Sequence, residues 1–301
     1  MEQQKINLTE NQVDISEKYN LMEIKLEKIE EKTPHDTELN KGLLYGMVIA
    51  YRVIGNNNEE CQQYVSDLSK YNHPSLSLVY GFAIEKESNV VNIIREWVSG
   101  HCFLDKELFL KDSHDRLVLL YKIICLFEFL HSFDISYNFL TPNKVIVTVD
   151  MDIKVIDLIK MDYSVHSRIK KGKYTQQFHF LHPKVFEPDF NIEKKTFLKD
   201  LDIYSIGCLI YYAISNKIPF AGCQTIEELI KAKTGKLDAF EDSTEQLKQA
   251  YEIANKCLSG QYESVEKLKD EFSKLQDVDD FIKNETINFN YNEGINRSNF
   301  S

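Results

Sequence analysis

The sequence predicts an α+β fold in which a small, strand-rich region precedes a larger helical region. Apolar and β-branched residues cluster in short segments at 43–54 and 91–98, which is typical of strands. Further along the chain the apolar residues recur at helical spacing. This spacing predicts helices at 115–131, 225–233, 244–258 and 263–275. A chain of 301 residues that is 43% hydrophobic is long enough to form both regions around substantial cores.

Composition and charge restrict the classes of partner. The chain carries 36 Lys and Arg against 47 Asp and Glu, a net charge of −11. Binding to nucleic acid or to an anionic membrane requires clustered positive charge, so we expect neither partner. The polar N-terminus and the lack of an apolar run of roughly 20 residues favour a soluble, cytoplasmic protein. The six cysteines show no metal-ligand spacing and are expected to be reduced thiols.

The stretch 126–161 contains the most informative motif of the chain. A helix ends at His131, and two short β-branched segments, 145–147 and 153–156, follow with a turn between them. This order resembles the catalytic and metal-binding loops of eukaryotic protein kinases, where His-Arg-Asp-Leu-Lys-Pro-x-Asn precedes a hairpin and Asp-Phe-Gly. Residues 140–144, Leu-Thr-Pro-Asn-Lys, match Leu-Lys-Pro-x-Asn. The resemblance extends over about 19–275 and implies a bilobal kinase-like fold.

The resemblance also implies that the catalytic residues have been replaced. Phe139 occupies the position of the catalytic Asp and has no acid–base chemistry, and Asn138 occupies that of the preceding Arg. Lys144 stands in place of the metal-binding Asn, where a cation would repel Mg²⁺. Asp157 alone remains of the metal ligands. Asp134 does not fit as a substitute base, because its spacing from His131 is not that of His-x-Asp. We therefore predict no catalytic residue and no metal site.

A vestigial nucleotide pocket follows from the same resemblance. The segment IAYRVI is similar to the Val-Ala-x-Lys strand of kinases, and EWV at 96–98 is similar to the hinge between the lobes. The implied pocket residues are Ala50, Arg52, Glu96, Val98 and Asp157. Weak ATP binding remains open, and Mg²⁺ is not expected.

Other parts of the kinase pattern are altered as well. Tyr64 replaces the Glu that pairs with the strand lysine, and Glu30 and Glu31 stand where a glycine-rich loop would cover the phosphates. We interpret that acidic segment as an ordinary solvated turn between strands. Lys184 and Tyr262 replace the two partners of a family ion pair, the Glu of Ala-Pro-Glu and a downstream Arg.

The segment 199–220 preserves the pattern best and resembles the central helix of the kinase C-lobe. Asp202 and Gly207 are its structural residues. The resemblance implies that Asp202 anchors the backbone of the catalytic loop. A helix N-cap is the simpler interpretation of the same aspartate, and the two roles are compatible.

These observations lead to a predicted organisation and function. A polar extension at 1–18 precedes an N-lobe at 19–98, a C-lobe at 99–276 and an Asn-rich mobile tail at 277–301. The predicted function is that of a pseudokinase, an inactive scaffold or allosteric module that binds a protein partner such as an active kinase. The alternatives are a nucleotide-binding switch without turnover and an atypical phosphotransferase.

Overall fold

The computed structural model describes residues 22–23, 27–32 and 40–285, except 45, 57, 59–60, 62–64, 66–67, 86–87, 106–111, 157, 159–168, 170–173, 189, 191–197 and 241–243. The predicted extension 1–18, Tyr64 and the pocket residue Asp157 lie outside the described residues. The chain divides into two compact units, 1–100 with 154–158, and 101–153 with 159–301. The division falls two residues after the predicted lobe boundary, and the short segment 154–158 returns to the first unit.

The first unit contains a six-stranded sheet in the order β1-β5-β6-β4-β3-β2. Its strands are β1 (Met22–Glu23), β2 (Glu27–Lys32), β3 (Asn40–Leu44), β4 (Met47–Asn56), β5 (Val79–Glu85) and β6 (Val90–Glu96). β1 runs parallel to β5, and the other pairs are antiparallel. The predicted strand segment 43–54 therefore belongs to two strands. Because β2 continues to Lys32, the prediction that Glu30 and Glu31 lie in a turn is wrong.

Alternation along β4 gives the sheet two different faces. Successive side chains of a strand point to opposite faces, so Ile49 and Tyr51 share one face while Ala50 and Arg52 share the other. The Ile49 face forms an apolar cluster. Its buried members are Leu44, Ile49, Tyr51, Ala83 and Ile94. The predicted pocket residues of β4 consequently lie on the face opposite this cluster.

A second, smaller sheet has the order β7-β8-β9. Its strands are β7 (His101–Cys102), β8 (Val145–Val147) and β9 (Ile153–Val155). Val155 belongs to the segment that returns to the first unit. There its N–H donates to Ser75 O at 2.8 Å, and its carbonyl accepts from Ser77 N at 3.0 Å. Backbone hydrogen bonds thus hold the residue two positions before Asp157 within the first unit.

The second unit is built around a buried central helix. Its helices are α1 (Ser113–His131), α2 (Lys199–Ser215), α3 (Ile226–Ala232), α4 (Glu245–Leu258) and α5 (Val265–Phe272). Nearly every residue of α2 from Leu201 to Ile214 is buried, as expected for a helix that is apolar on all sides. It packs against α4 and α1. The predicted helices therefore occur in the predicted order.

The ordered fold continues beyond the predicted end of the second unit. Residues 276–285 form a further helix, α6. Val278 is fully buried, and Asp277 Oδ2 accepts a hydrogen bond from Gln246 Nε2 at 2.6 Å. The predicted start of a mobile tail at 277 is therefore wrong for 277–285, and 286–301 lie outside the described residues.

Two further predictions concern the state of the cysteines and the presence of membrane-spanning helices. All six cysteines are reduced thiols; Cys102, Cys208 and Cys257 are buried and the others are partly exposed. Among the described helices, none combines the length and apolar character needed to cross a bilayer.

Candidate functional site

The catalytic loop, residues 136–144, is held in place by the buried carboxylate of Asp202. Asp202 Oδ2 accepts from Tyr137 N at 2.8 Å, and Oδ1 accepts from Asn138 N at 2.6 Å. His131 Nε2 lies 2.9 Å from Oδ2. Asn138 has a positive φ of 68°, a conformation that asparagine tolerates better than most residues. The predicted anchoring role of Asp202 is therefore realised in the structure.

The N-cap interpretation of Asp202 is wrong. α2 begins at Lys199 and its N-cap position is Leu198, so Asp202 already lies within the helix. Its carboxylate points to the backbone N–H groups of the catalytic loop rather than to the N–H groups of its own helix.

The anchored loop contains Phe139 and Lys144, which the resemblance places at the catalytic and metal-binding positions. Phe139 is 3% exposed and Lys144 is 8% exposed. Lys144 ends a short 3₁₀ turn, Pro142–Lys144, that is stabilised by a hydrogen bond from Lys144 N to Thr141 O at 2.9 Å. The Phe139 side chain has no acid–base group, and the Lys144 ammonium is not an anionic metal ligand.

Asp134, the alternative base, belongs to the turn that ends α1. It is exposed, and its N–H donates to His131 O at 3.1 Å. Its φ of 56° is typical of a residue that closes a helix. This position agrees with the assignment of residues 129–132, FLHS, to the end of the preceding helix.

The described members of the vestigial pocket all lie in the first unit. Ala50 is buried in the centre of β4, and Arg52, two residues further on, is 7% exposed. Val98 is partly buried and follows the end of β6.

The carboxylate of Glu96 is used within the unit. Its Oε2 accepts from Lys154 Nζ at 3.0 Å and from Leu78 N at 3.2 Å. Glu96 is therefore a structural residue that ties β6 to the returning segment, which the hinge interpretation did not anticipate.

Lys184 and Tyr262, the residues expected at the two positions of a family ion pair, have separate environments. Lys184 is exposed on a 3₁₀ turn. Tyr262 donates from its hydroxyl to Glu271 Oε2 at 2.9 Å. Glu271 also pairs with Lys256 at 2.7 Å.

A buried lysine that the sequence analysis missed holds the segment 174–182. Lys233 is 6% exposed, and its Nζ donates to His179 O at 2.7 Å and to Leu181 O at 2.6 Å. It also lies 4.9 Å from the ring centroid of Tyr204 and 5.2 Å from that of Phe220, which are favourable cation–π positions. In the sequence Lys233 is one of several lysines in IKAKTGK, and nothing local distinguishes it from a surface residue.

Further buried polar groups fix the same segment. His179 Nδ1 donates to Pro219 O at 2.7 Å, and its Nε2 contacts the hydroxyl of Tyr174, which donates to Cys223 O at 2.7 Å. Burial, with a smaller contribution from the charge of Lys233, lowers the pKa of His179. The end of the predicted activation segment is therefore held by hydrogen bonds within the second unit.

We expect Lys233 to make stability depend on alkaline pH. Burial lowers its pKa to about 8, so between about pH 8 and the unfolded value of 10.5 the unfolded chain binds more protons. Stability then rises with pH by at most about 1.4 kcal/mol per unit, and this contribution is constant below about pH 8. In urea unfolding, the free energy of unfolding of the wild type should rise by about 1–2 kcal/mol relative to that of Lys233→Met between pH 7 and 9.5. The exposed neighbour Lys231→Met serves as the control, and an unchanged difference for Lys233→Met would contradict the prediction.

Comparison with known proteins defines the class to which this fold and loop belong. The family model described as "Protein kinase domain" matches residues 46–283, well over half of the chain. The chain therefore belongs to the protein kinase domain family, and the predicted kinase-like fold is confirmed.

Several individual kinases are similar to it. Serine/threonine-protein kinase RAD53 of Saccharomyces cerevisiae is 24% identical over 202 residues, 61% of this chain and 23% of that protein. Sperm motility kinase 3A of Mus musculus is 22% identical over 192 residues, 62% of this chain and 36% of that protein. The chain thus spans about a quarter to a third of the length of these relatives.

A solved structure shows the same fold. The crystal structure of Rad53 1-466 in complex with AMP-PNP matches with a TM-score of 0.63 at 17% identity. The match covers 84% of this chain and 65% of that one. At this identity the likeness establishes the fold alone.

Proposed function

We propose that this chain is a pseudokinase, a protein kinase domain that does not transfer phosphate and acts through protein contacts. The observation that carries the proposal is the combination of a preserved loop anchor, Asp202, with a buried phenylalanine at the catalytic position. Phe139 accepts no proton, and its side chain is 3% exposed. In this proposal the chain keeps the kinase fold but lacks the catalytic side chains that such a fold can position.

The replacement at the metal position supports the same conclusion. Phosphoryl transfer depends on positioning and on neutralising charge with Mg²⁺, which needs oxygen ligands. Lys144 supplies an ammonium instead. The function left to such a domain is to present surfaces, and with a net charge of −11 a protein partner is a better match than nucleic acid. An active kinase that is scaffolded or allosterically regulated by this chain is the partner class we propose.

Radiolabelled phosphotransfer from ATP tests the proposal directly. For the purified chain with Mg²⁺ and general protein substrates, we expect turnover at least about a thousandfold below the roughly 1–100 s⁻¹ typical of kinases. Two matched variants interpret any residual signal. A signal lost in Asp157→Ala but kept in Asp134→Ala would indicate metal-dependent transfer and would refute the proposal. A signal lost in Asp134→Ala would indicate a rearranged base, the atypical phosphotransferase.

A further inference from the structure

The small residue Ala50 is flanked by a cationic side chain on each neighbouring strand. In the antiparallel register Ala50 of β4 is the partner of Lys41 on β3 and of Arg95 on β6. Directly paired residues point to the same face, with Cβ atoms about 4.5–5.5 Å apart. Lys41 and Arg95 therefore project beside Ala50, on the face opposite the apolar cluster.

A third cation lies on the same face. Arg52 follows Ala50 by two residues and so shares its orientation. Arg95 is 2% exposed and Arg52 is 7% exposed. Lys41 is partly buried, with its Nζ 5.1 Å from the centroid of the Trp97 ring. Glu96, the acidic neighbour of Arg95, alternates to the other face and is paired with Lys154.

This face is a poor site for an adenine ring and a good one for an anion. A purine is neutral and requires an apolar slot, whereas two long cationic side chains occupy the space on either side of Ala50. Guanidinium and ammonium groups in a low-dielectric setting attract phosphate oxygens through charge-assisted hydrogen bonds. All three cations also have contacts within the chain, so an incoming anion would compete with those contacts.

We propose that the Ala50 face of the first unit selects a compact oligophosphate anion and rejects adenine. The proposal rests on the proposed function in one respect, since it takes this face to be the remnant of a nucleotide pocket. In place of a switch that binds an adenine nucleotide, this face would bind a phosphate-rich ligand that has no nucleobase.

Thermal-shift and calorimetric titrations of the full chain at fixed ionic strength test this selectivity. Inorganic tripolyphosphate and ATP are expected to stabilise the wild type to a similar degree without Mg²⁺, and adenosine is expected to give no shift. Binding should weaken as salt is raised, because the contacts are ionic. Stabilisation by adenosine, or no response to tripolyphosphate, would overturn the proposal.

Variants locate the site. Arg95→Met should raise the dissociation constant for tripolyphosphate about tenfold, roughly the loss of one charge-assisted hydrogen bond. The partly exposed Lys41→Gln should have the same effect, and it serves as the second variant if the buried Arg95→Met change impairs folding. Lys70→Met removes an exposed lysine of the same unit and is the matched control. An equal loss in Lys70→Met would show non-specific binding and reject the site. Phosphotransfer by a chain that binds tripolyphosphate as well as ATP and does not bind adenosine would refute the pseudokinase proposal but not this selectivity.

Discussion

Replacement of Asp202 by alanine is expected to destabilise the second unit by about 3–5 kcal/mol, the usual cost of removing one partner from a buried charged network. The carboxylate is completely buried and satisfies the N–H groups of Tyr137 and Asn138 together with His131. Without it, two backbone donors remain in a dry environment where each unsatisfied group costs about 1–3 kcal/mol. The positive φ of Asn138 is also no longer compensated by that hydrogen bond.

Urea unfolding followed by far-ultraviolet circular dichroism measures this effect. Asp200→Ala is the matched control, because Asp200 lies in the same first turn of α2 but is exposed. Its loss should cost at most about 1 kcal/mol, the size of a helix-dipole interaction. Similar costs for the two variants would mean that Asp202 contributes as a first-turn acid and not as the loop anchor.

The division into strands and helices was predictable because it is encoded locally. The β-branched and apolar runs of β4 and β6 and the long apolar segments of α1 and α2 are visible in short windows of sequence. Asp202 was found through the family resemblance. Its true geometry required the tertiary structure, because the groups it binds lie more than 60 positions away in the chain.

The features that were missed depend on long-range pairing. Lys41, Ala50 and Arg95 come together only through the register of three strands, which the hydrophobic pattern does not specify. Lys233 is recognised only once its acceptors, 52 and 54 positions away, are known. α6 was missed because five of the nine residues 277–285 are charged, three of them Asp, and its order depends on Val278 and on the contact of Asp277 with α4.

The second large effect is expected at Gly207, where α2 and α4 approach too closely for any side chain. A Cβ at this position would lie 2.5 Å from Cys257 Cβ, 2.7 Å from Leu258 Cδ1 and 3.0 Å from Ala254 O. Alanine normally favours a helix over glycine by about 1 kcal/mol, so propensity alone predicts that Gly207→Ala stabilises the chain. Overpacking in a well-filled core costs about 1–3 kcal/mol and sometimes more. We expect the clash to dominate, with a net loss of about 2 kcal/mol in urea unfolding.

A double-mutant cycle separates the clash from other effects of the added methyl group. Cys257→Gly removes the Cβ that lies nearest to the new atom, and alone it should destabilise α4. If the close approach is the cause, Gly207→Ala should cost at least about 1 kcal/mol less in the Cys257→Gly background than in the wild type, since residues in contact are not additive. Additive costs would show that the contact with Cys257 is not the cause, and a stabilised single variant would show that the two helices can separate without loss. The glycine would then owe its place in α2 to something other than helix packing.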